Sequence, residues 1–195
     1  MRKAEINRKT NETDISLYFD IDGKGESEID TGVGFLDHML TLFARHGGFD
    51  LKVRCKGDTN VDDHHSVEDV GIALGQALKK AVGDKKGINR YGFFVLPMDE
   101  ALLVSAVDFS GRALLAYTPG TLNEKVGNFD TELIKEFFLA FVRNSDVTLH
   151  IKKLDGENTH HIIEGMFKSF ARSLSMALSY DAKMKDMIPS TKGIL

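Results

Sequence analysis

The chain has 195 residues, 42% of them hydrophobic, and a formal net charge of −4, enough apolar material for one large core or two fused halves of about 100 residues each. That charge, with a pI near 6.0, offers no field for drawing the chain onto nucleic acid or anionic lipid, and no run of like charges suggests a binding tail. The single Cys55 excludes an internal disulfide, and the residues from Met1 to Ile6 contain no apolar stretch of the signal-peptide or membrane-spanning kind, so a reducing, cytoplasmic setting is expected.

Residues 2–9 and 14–22 alternate loosely and carry Ile15, Leu17, Phe19 and Ile21, and Asp22-Gly23-Lys24-Gly25 reads as a turn, which predicts opening strands. From Gly34 the period changes. Phe35, Met39, Leu42 and Phe43 recur at helical spacing, and Gly47-Gly48 stops them as a C-terminal cap would. Leu51, Val53 and Cys55 predict a short strand. Asp62-Asp63 then stand where an N-cap belongs, ahead of Val67, Val70, Leu74, Ala77, Leu78 and Ala81 on one helical face. The order repeats in the second half: strands at 93–96, 101–108 and 113–117, a helix near 130–143, a strand at 147–151, and a helix near 160–179 with Thr159 as N-cap.

Laying the sequence on itself supports the repeat. Shifted by 96 positions, Asp50 falls on Asp146, Lys56 on Lys152, His64-His65 on His160-His161, Glu68 on Glu164, Leu78 on Leu174 and Ala81 on Ala177. A two-residue gap upstream continues the match, with Phe43 on Phe141, Arg45 on Arg143 and His38 on Glu136. A shift of 88 pairs the first strands, Glu12 with Glu100, Asp20 with Asp108, Gly23 with Gly111 and Lys24 with Arg112. No linker rich in Pro, Gly or Ser intervenes. The expectation is an α+β fold, a tandem duplication of a ββαβα-type half. Its halves, about 1–90 and 91–195, share one core in a single domain, and the repeat is too long for a solenoid unit.

Imidazole and carboxylate together suit Mn, Fe, Co, Ni or Zn, whereas Ca and Mg favour oxygen-only sites. Residues at i and i+4 share a helical face, so His64 with Glu68, and His160 with Glu164, can each bind one ion. The adjacent His65 and His161 point about 100° away. A pseudo-twofold would let each complete the other half's site, giving His64, Glu68, His161 and Glu136 for one ion and His160, Glu164, His65 and His38 for the other. Four protein ligands leave open positions for water or substrate. An isolated histidine pair at a helix start equally suits capping or core packing; the duplication with an i+4 glutamate is what favours metal. Asp62-Asp63 fit either a helix cap or a support for the ligating imidazoles.

The tail Ile188-Pro189-Ser190-Thr191-Lys192-Gly193 offers two hydroxyls, a lysine and a glycine for gripping a phosphate. Arg90 and Arg112 are candidate further cations, and a solvated surface role for each fits the sequence as well.

Six segments resemble imidazoleglycerol-phosphate dehydratase, an enzyme family of histidine biosynthesis: Gly34-Phe35-Leu36-Asp37-His38-Met39, residues 62–69, Met98-Asp99-Glu100-Ala101, Asp108-Phe109-Ser110-Gly111-Arg112, residues 157–164, and Pro189-Ser190-Thr191-Lys192-Gly193. The resemblance covers essentially the whole chain. It implies a ribosomal protein S5 domain 2-like fold, with a helical bundle packed between two mixed sheets. It further implies a homo-oligomeric shell of 24 subunits with metal sites completed between neighbours, and two Mn2+ ions per active site. By resemblance the metal ligands fall on His38, His64, His65, Glu68, His160, His161 and Glu164. Glu136 departs from the family, in which many members carry histidine there. Phosphate binding falls on Arg90, Arg112, Lys168, Ser190 and Lys192, and substrate contacts on Glu12, His46 and Asp99.

The implied reaction removes water from the glycerol phosphate chain of the substrate. Binding the ring as imidazolate between two cations would let its electrons expel the hydroxyl, with Glu164 or Glu12 as the acid–base group and the phosphate grip holding the reacting carbon in place. Two other readings use the same ligands. A dinuclear metallohydrolase of small phosphate esters would release free phosphate, and a non-catalytic metal-binding shell would not need Lys192 or Arg112.

Overall fold

The alternation at the start of the chain makes an antiparallel hairpin of β1 (Lys3–Lys9) and β2 (Thr13–Asp20), in which Ile15, Leu17 and Phe19 are buried. A computed structural model describes residues 2–195. The order continues with β3 (Ser27–Asp30), α1 (Gly34–Gly47), β4 (Asp50–Gly57) and α2 (His64–Val82). Then come β5 (Tyr91–Met98), β6 (Ala101–Asp108), β7 (Leu114–Thr118), the short pair β8 (Lys125–Val126) and β9 (Phe129–Asp130), α3 (Leu133–Ser145), β10 (Thr148–Asp155) and α4 (Thr159–Leu178).

The two halves have the same topology. One sheet runs β1-β2-β4-β3 and the other β5-β6-β10-β7, each with one parallel pair, β3 with β4 and β7 with β10. The hairpin register repeats too: Lys3 faces Asp20 on β1 and β2, and Tyr91 faces Asp108 on β5 and β6, a shift of 88 for both strands. The strand β3 and the pair β8–β9 carry too few residues for a periodic signal and are not among the strands expected from the sequence.

The repeat differs from the sequence reading in one place. Asp20 faces Asp50, whereas Asp108 faces Thr148, so the shift of 98 seen for the first helices persists through β10. The two-residue difference therefore falls in the connection to the last helix of each half, residues 58–63 against 156–158. A bulge between Lys153 and Asp155 takes up the remaining mismatch. Asp50 and Lys56 are accordingly not the structural equivalents of Asp146 and Lys152.

Helix α2 lies on β1 and β2 and packs its other side on α3; α4 lies on β5 and β6 and packs on α1. Each half thus contributes helices to the other, and one cluster of buried side chains runs through both, from Ile15, Leu17 and Phe19 to Phe137, Phe167 and Phe170. The helix–sheet approach is closest at Gly92, where a Cβ would stand 1.9 Å from the Ser173 carbonyl oxygen on α4.

The outer sheet faces differ. Tyr91, Phe93, Val95, Leu114 and Leu154 are exposed on the second sheet, while the same face of the first carries Glu5, Asn7, Ser16, Lys52 and Arg54. No helix of the described residues is long and apolar enough to cross a membrane.

Candidate metal centre

Both histidine pairs sit at the N-terminus of the helix that lies on its own sheet. At α2 the Asp62 carboxylate accepts the His64 N–H at 2.9 Å. At α4 the cap is Asn158 and not Thr159: its side chain accepts from the His160 and His161 N–H groups at 2.9 and 3.2 Å, and Thr159 is the first helical residue. Thr159 instead accepts the Asn123 N–H through its hydroxyl. The hairpin turns hang over these starts, residues 10–12 above α2 and Asp99-Glu100 above α4. Asp69, buried one residue after Glu68, takes hydrogen bonds from the Arg8 guanidinium and the Thr13 hydroxyl, which ties the hairpin carrying Glu12 to α2.

A triad assembles within the chain. The ring of His38 on α1 lies beside that of His160, and the Nε2 atoms of His38 and His160 lie 3.6 and 3.3 Å from the same oxygen, Oε2 of Glu164. These three ligand atoms all fall within 4.8 Å of one another. Ligands about 2.1 Å from one ion stand about 3.0–3.5 Å apart, so the spacing fits a borderline transition metal. The other oxygen, Oε1, accepts from the Lys168 ammonium. Burial raises the Glu164 pKa, but Lys168 and the two histidines outweigh it, and the carboxyl stays below its usual range. His38, unremarkable as a lone helical histidine, is thus placed by the packing of α1 on α4.

The first half's copy is open. His64 and Glu68 approach to 3.7 Å, each about 40% exposed, with no third ligand among the described residues. Glu136, the counterpart of His38, lines a separate cleft with Tyr117, Glu124, Asp130 and Lys135. Among the described residues the pseudo-twofold completion expected inside one chain is not formed. His65 and His161 do not join the triad, and each is turned toward carboxylates of its own half. His65 Nδ1 lies 3.1 Å from both Asp58 oxygens, and its Nε2 faces Glu12 at 3.8 Å. His161 Nδ1 lies 2.7 Å from Glu100, and its Nε2 faces Asp99 at 3.7 Å.

His46 ends α1 on the Lys168 side; burial first, then the charges of Lys168 and Arg172, holds its pKa below the usual imidazole value. The remaining cations lie elsewhere. The Arg90 N–H donates to the Ala177 carbonyl at the far end of α4, and its guanidinium is held by Asp108 and the Pro189 carbonyl. Arg112 and Lys192 line one cavity with Ser110, Lys79 and Lys85, the last two unremarked in the sequence reading. Ser190 caps the Lys192 N–H beside them. From Glu164 to Ala177 the helix rises about 20 Å at 1.5 Å per residue, so within one chain the phosphate candidates stand far from the triad, Lys168 excepted.

Residues 31–174 match the family model for imidazoleglycerol-phosphate dehydratase. The curated enzyme of that name from Prochlorococcus marinus strain MIT 9515 is 57% identical over 194 residues, covering 100% of this chain and 96% of the other. Among solved structures, imidazoleglycerol-phosphate dehydratase from Staphylococcus aureus has TM-score 0.83 and 45% identity, over 92% of this chain and 99% of that one. The Pyrococcus furiosus structure, also TM-score 0.83, is 36% identical over 97% and 100% of the two chains. The topology, the triad at the helix starts and these full-length matches agree: the chain belongs to the imidazoleglycerol-phosphate dehydratase family, the hydro-lyases of histidine biosynthesis.

Proposed function

We propose that the chain, as one catalytic domain of two similar halves, converts imidazole glycerol phosphate to imidazole acetol phosphate in the cytoplasm with two Mn2+ ions per active site. The observation that carries this reading is the convergence of His38 and His160 on one Glu164 oxygen at 3.6 and 3.3 Å, at a helix start whose twin carries His64, His65 and Glu68. The metal ligands are His38, His64, His65, Glu68, His160, His161 and Glu164, with Glu136 as the eighth candidate.

The hydroxyl leaves from the carbon bearing the ring, the proton leaves from the next carbon, and the resulting enol becomes the ketone. Bound Mn2+ supplies the positive charge that makes an imidazole ring, with no carbonyl nearby, able to support this elimination. Glu12 and Asp99 hold or move the proton in this reading, which is supported by the 3.8 and 3.7 Å separations of their carboxylates from the Nε2 atoms of His65 and His161; Glu164 serves through its Oε2 edge. Lys168 neutralises Glu164 and, with His46, faces the substrate chain.

Arg90, Arg112, Ser190 and Lys192 bind the phosphate. A substrate of this class has about five bonds between ring and phosphorus, at about 1.5 Å each, and does not bridge the length of α4. The grip of one chain therefore works with the metal centre of another, which makes a homo-oligomer with shared sites the working enzyme, and 24 subunits its expected size. The exposed Phe93, Val95 and Leu114 supply a surface suited to such contacts.

The test is a paired measurement on the purified protein: Mn2+ bound per chain, and conversion of imidazole glycerol phosphate before and after chelation. About two ions per chain and Mn2+-dependent acetol phosphate are expected. Release of free phosphate would point to the hydrolase, and metal binding without either product to a storage shell.

A further inference from the structure

The second histidine of each pair is held by a carboxylate on Nδ1, but the two carboxylates come from different places in the two halves. Asp58 belongs to the connection after β4, residues 58–63, and its counterpart connection, residues 156–158, is shorter and supplies no equivalent side chain. Glu100 belongs to the β5–β6 turn, and its counterpart by hairpin register is Glu12, which lies beside Nε2 of His65 and not beside Nδ1. The same helix start is therefore served by a loop residue in one half and by a turn residue in the other.

Geometry makes each interaction directional. Both Asp58 oxygens are 3.1 Å from His65 Nδ1, and an ionised carboxylate only accepts, so Nδ1 carries a proton and Nε2 is the nitrogen left for a ligand role. Glu100 divides its oxygens. Oε2 takes His161 Nδ1 at 2.7 Å, and Oε1 accepts the Asn158 N–H at 2.8 Å and the Glu157 N–H at 3.3 Å. It therefore locks the ring and the start of α4 in one stroke. Ring orientation and tautomer are what a carboxylate behind a ligating histidine controls.

We propose that Asp58 and Glu100 are positioning residues that fix His65 and His161 with Nε2 directed at the metal, and that Asp58, by taking this duty in the first half, leaves Glu12 free to face the substrate. This rests on His65 and His161 being metal ligands. Glu100, held by three donors, is thereby removed from proton transfer, while Glu12 keeps a carboxylate within reach of the open side of the site.

The test uses the full-length protein in its native assembly and reads free Mn2+ by electron paramagnetic resonance during a titration, beside the unfolding midpoint of the metal-free protein. Asp58→Ala removes a carboxylate whose side-chain partner is His65 alone, so it is expected to weaken Mn2+ binding about 10- to 100-fold with little change in the metal-free midpoint. Glu100→Ala is expected to weaken binding similarly and also to lower that midpoint, because its hold on the Glu157 and Asn158 N–H groups ahead of α4 goes with it. Glu100→Gln keeps one accepting oxygen and sets an NH2 against the other donors, so it should recover at most one of the two effects, the ring orientation or the hold on the Asn158 N–H. A parent that binds Mn2+ while Asp58→Ala binds it equally well overturns the positioning role alone. A parent that binds none overturns the metal reading, and this inference with it.

Discussion

On β1 and β2 the side chains turned away from the helices include Lys3, Glu5, Asn7, Asp14 and Ser16, whereas the equivalent positions on β5 include Tyr91, Phe93 and Val95. Hairpin register pairs Glu5 with Phe93 and Asn7 with Val95, so one backbone pattern carries polar side chains in one half and exposed aromatic and aliphatic ones in the other. The metal motif diverges in the opposite sense. In the second half Glu164 is buried, balanced by Lys168 and joined by two histidines, and in the first Glu68 and His64 stand exposed and alone. A repeated topology fixes where side chains start; what each becomes depends on the helix or sheet packed against it.

The sharpest way to test that contrast is at the two glutamates. Glu164→Gln is expected to lower turnover about 100- to 1,000-fold, the weight of a key electrostatic group, and to unbalance Lys168 in the metal-free protein. Glu68→Gln should lower turnover too but leave the metal-free unfolding midpoint near the parent's, because Glu68 is exposed. Steady-state rates and unfolding curves of the pair separate the two.

Next in size is the sheet face. Phe93→Glu installs the first half's own residue and is expected to weaken self-association about 30-fold or more, the cost of a central contact side chain. Glu5→Gln should leave it unchanged. Sedimentation across a concentration series decides this, and a fall in activity that tracks dissociation would sharpen the case for shared sites.

A smaller effect concerns Gly92 and its counterpart Ala4. Gly92→Ala forces a Cβ into the Ser173 carbonyl and is expected to cost about 1–3 kcal/mol by overpacking. Ala4→Gly should cost only about 0.5–1 kcal/mol through backbone entropy. Equal losses in denaturant unfolding would contradict the closer approach of α4 to its sheet.

The smallest is a pH effect. The His161 hydrogen bond, then the Asn158 N–H, hold the Glu100 pKa down at about 2 from the usual 4.5. A depressed carboxyl stabilises the fold fully above its unfolded pKa and ceases to do so as pH falls through the folded one. The midpoint difference between the parent and Glu100→Gln, measured without metal, should therefore shrink between about pH 4.5 and pH 2. A constant gap would mean that the ionised Glu100 is not what holds the turn.

Much of this was legible before any coordinates. The strand and helix periods, the glycine stop at Gly47-Gly48 and the doubled His-His-x-x-Glu depend on local spacing, and local spacing is written in the sequence. Even the pairing of Glu12 with Glu100 was visible there, though not the different uses of the two residues. The union of His38 with His160 and Glu164 required α1 to pack on α4, more than a hundred residues away in sequence. The isolation of Glu136, the hydrogen bonds of Asp58 and Glu100 to the second histidines, and the distance between the Arg90, Arg112 and Lys192 cations and the triad also had no local signal. They follow from which elements meet, which is set by burial of whole helix and sheet faces summed over the core, and no short stretch of residues encodes that sum.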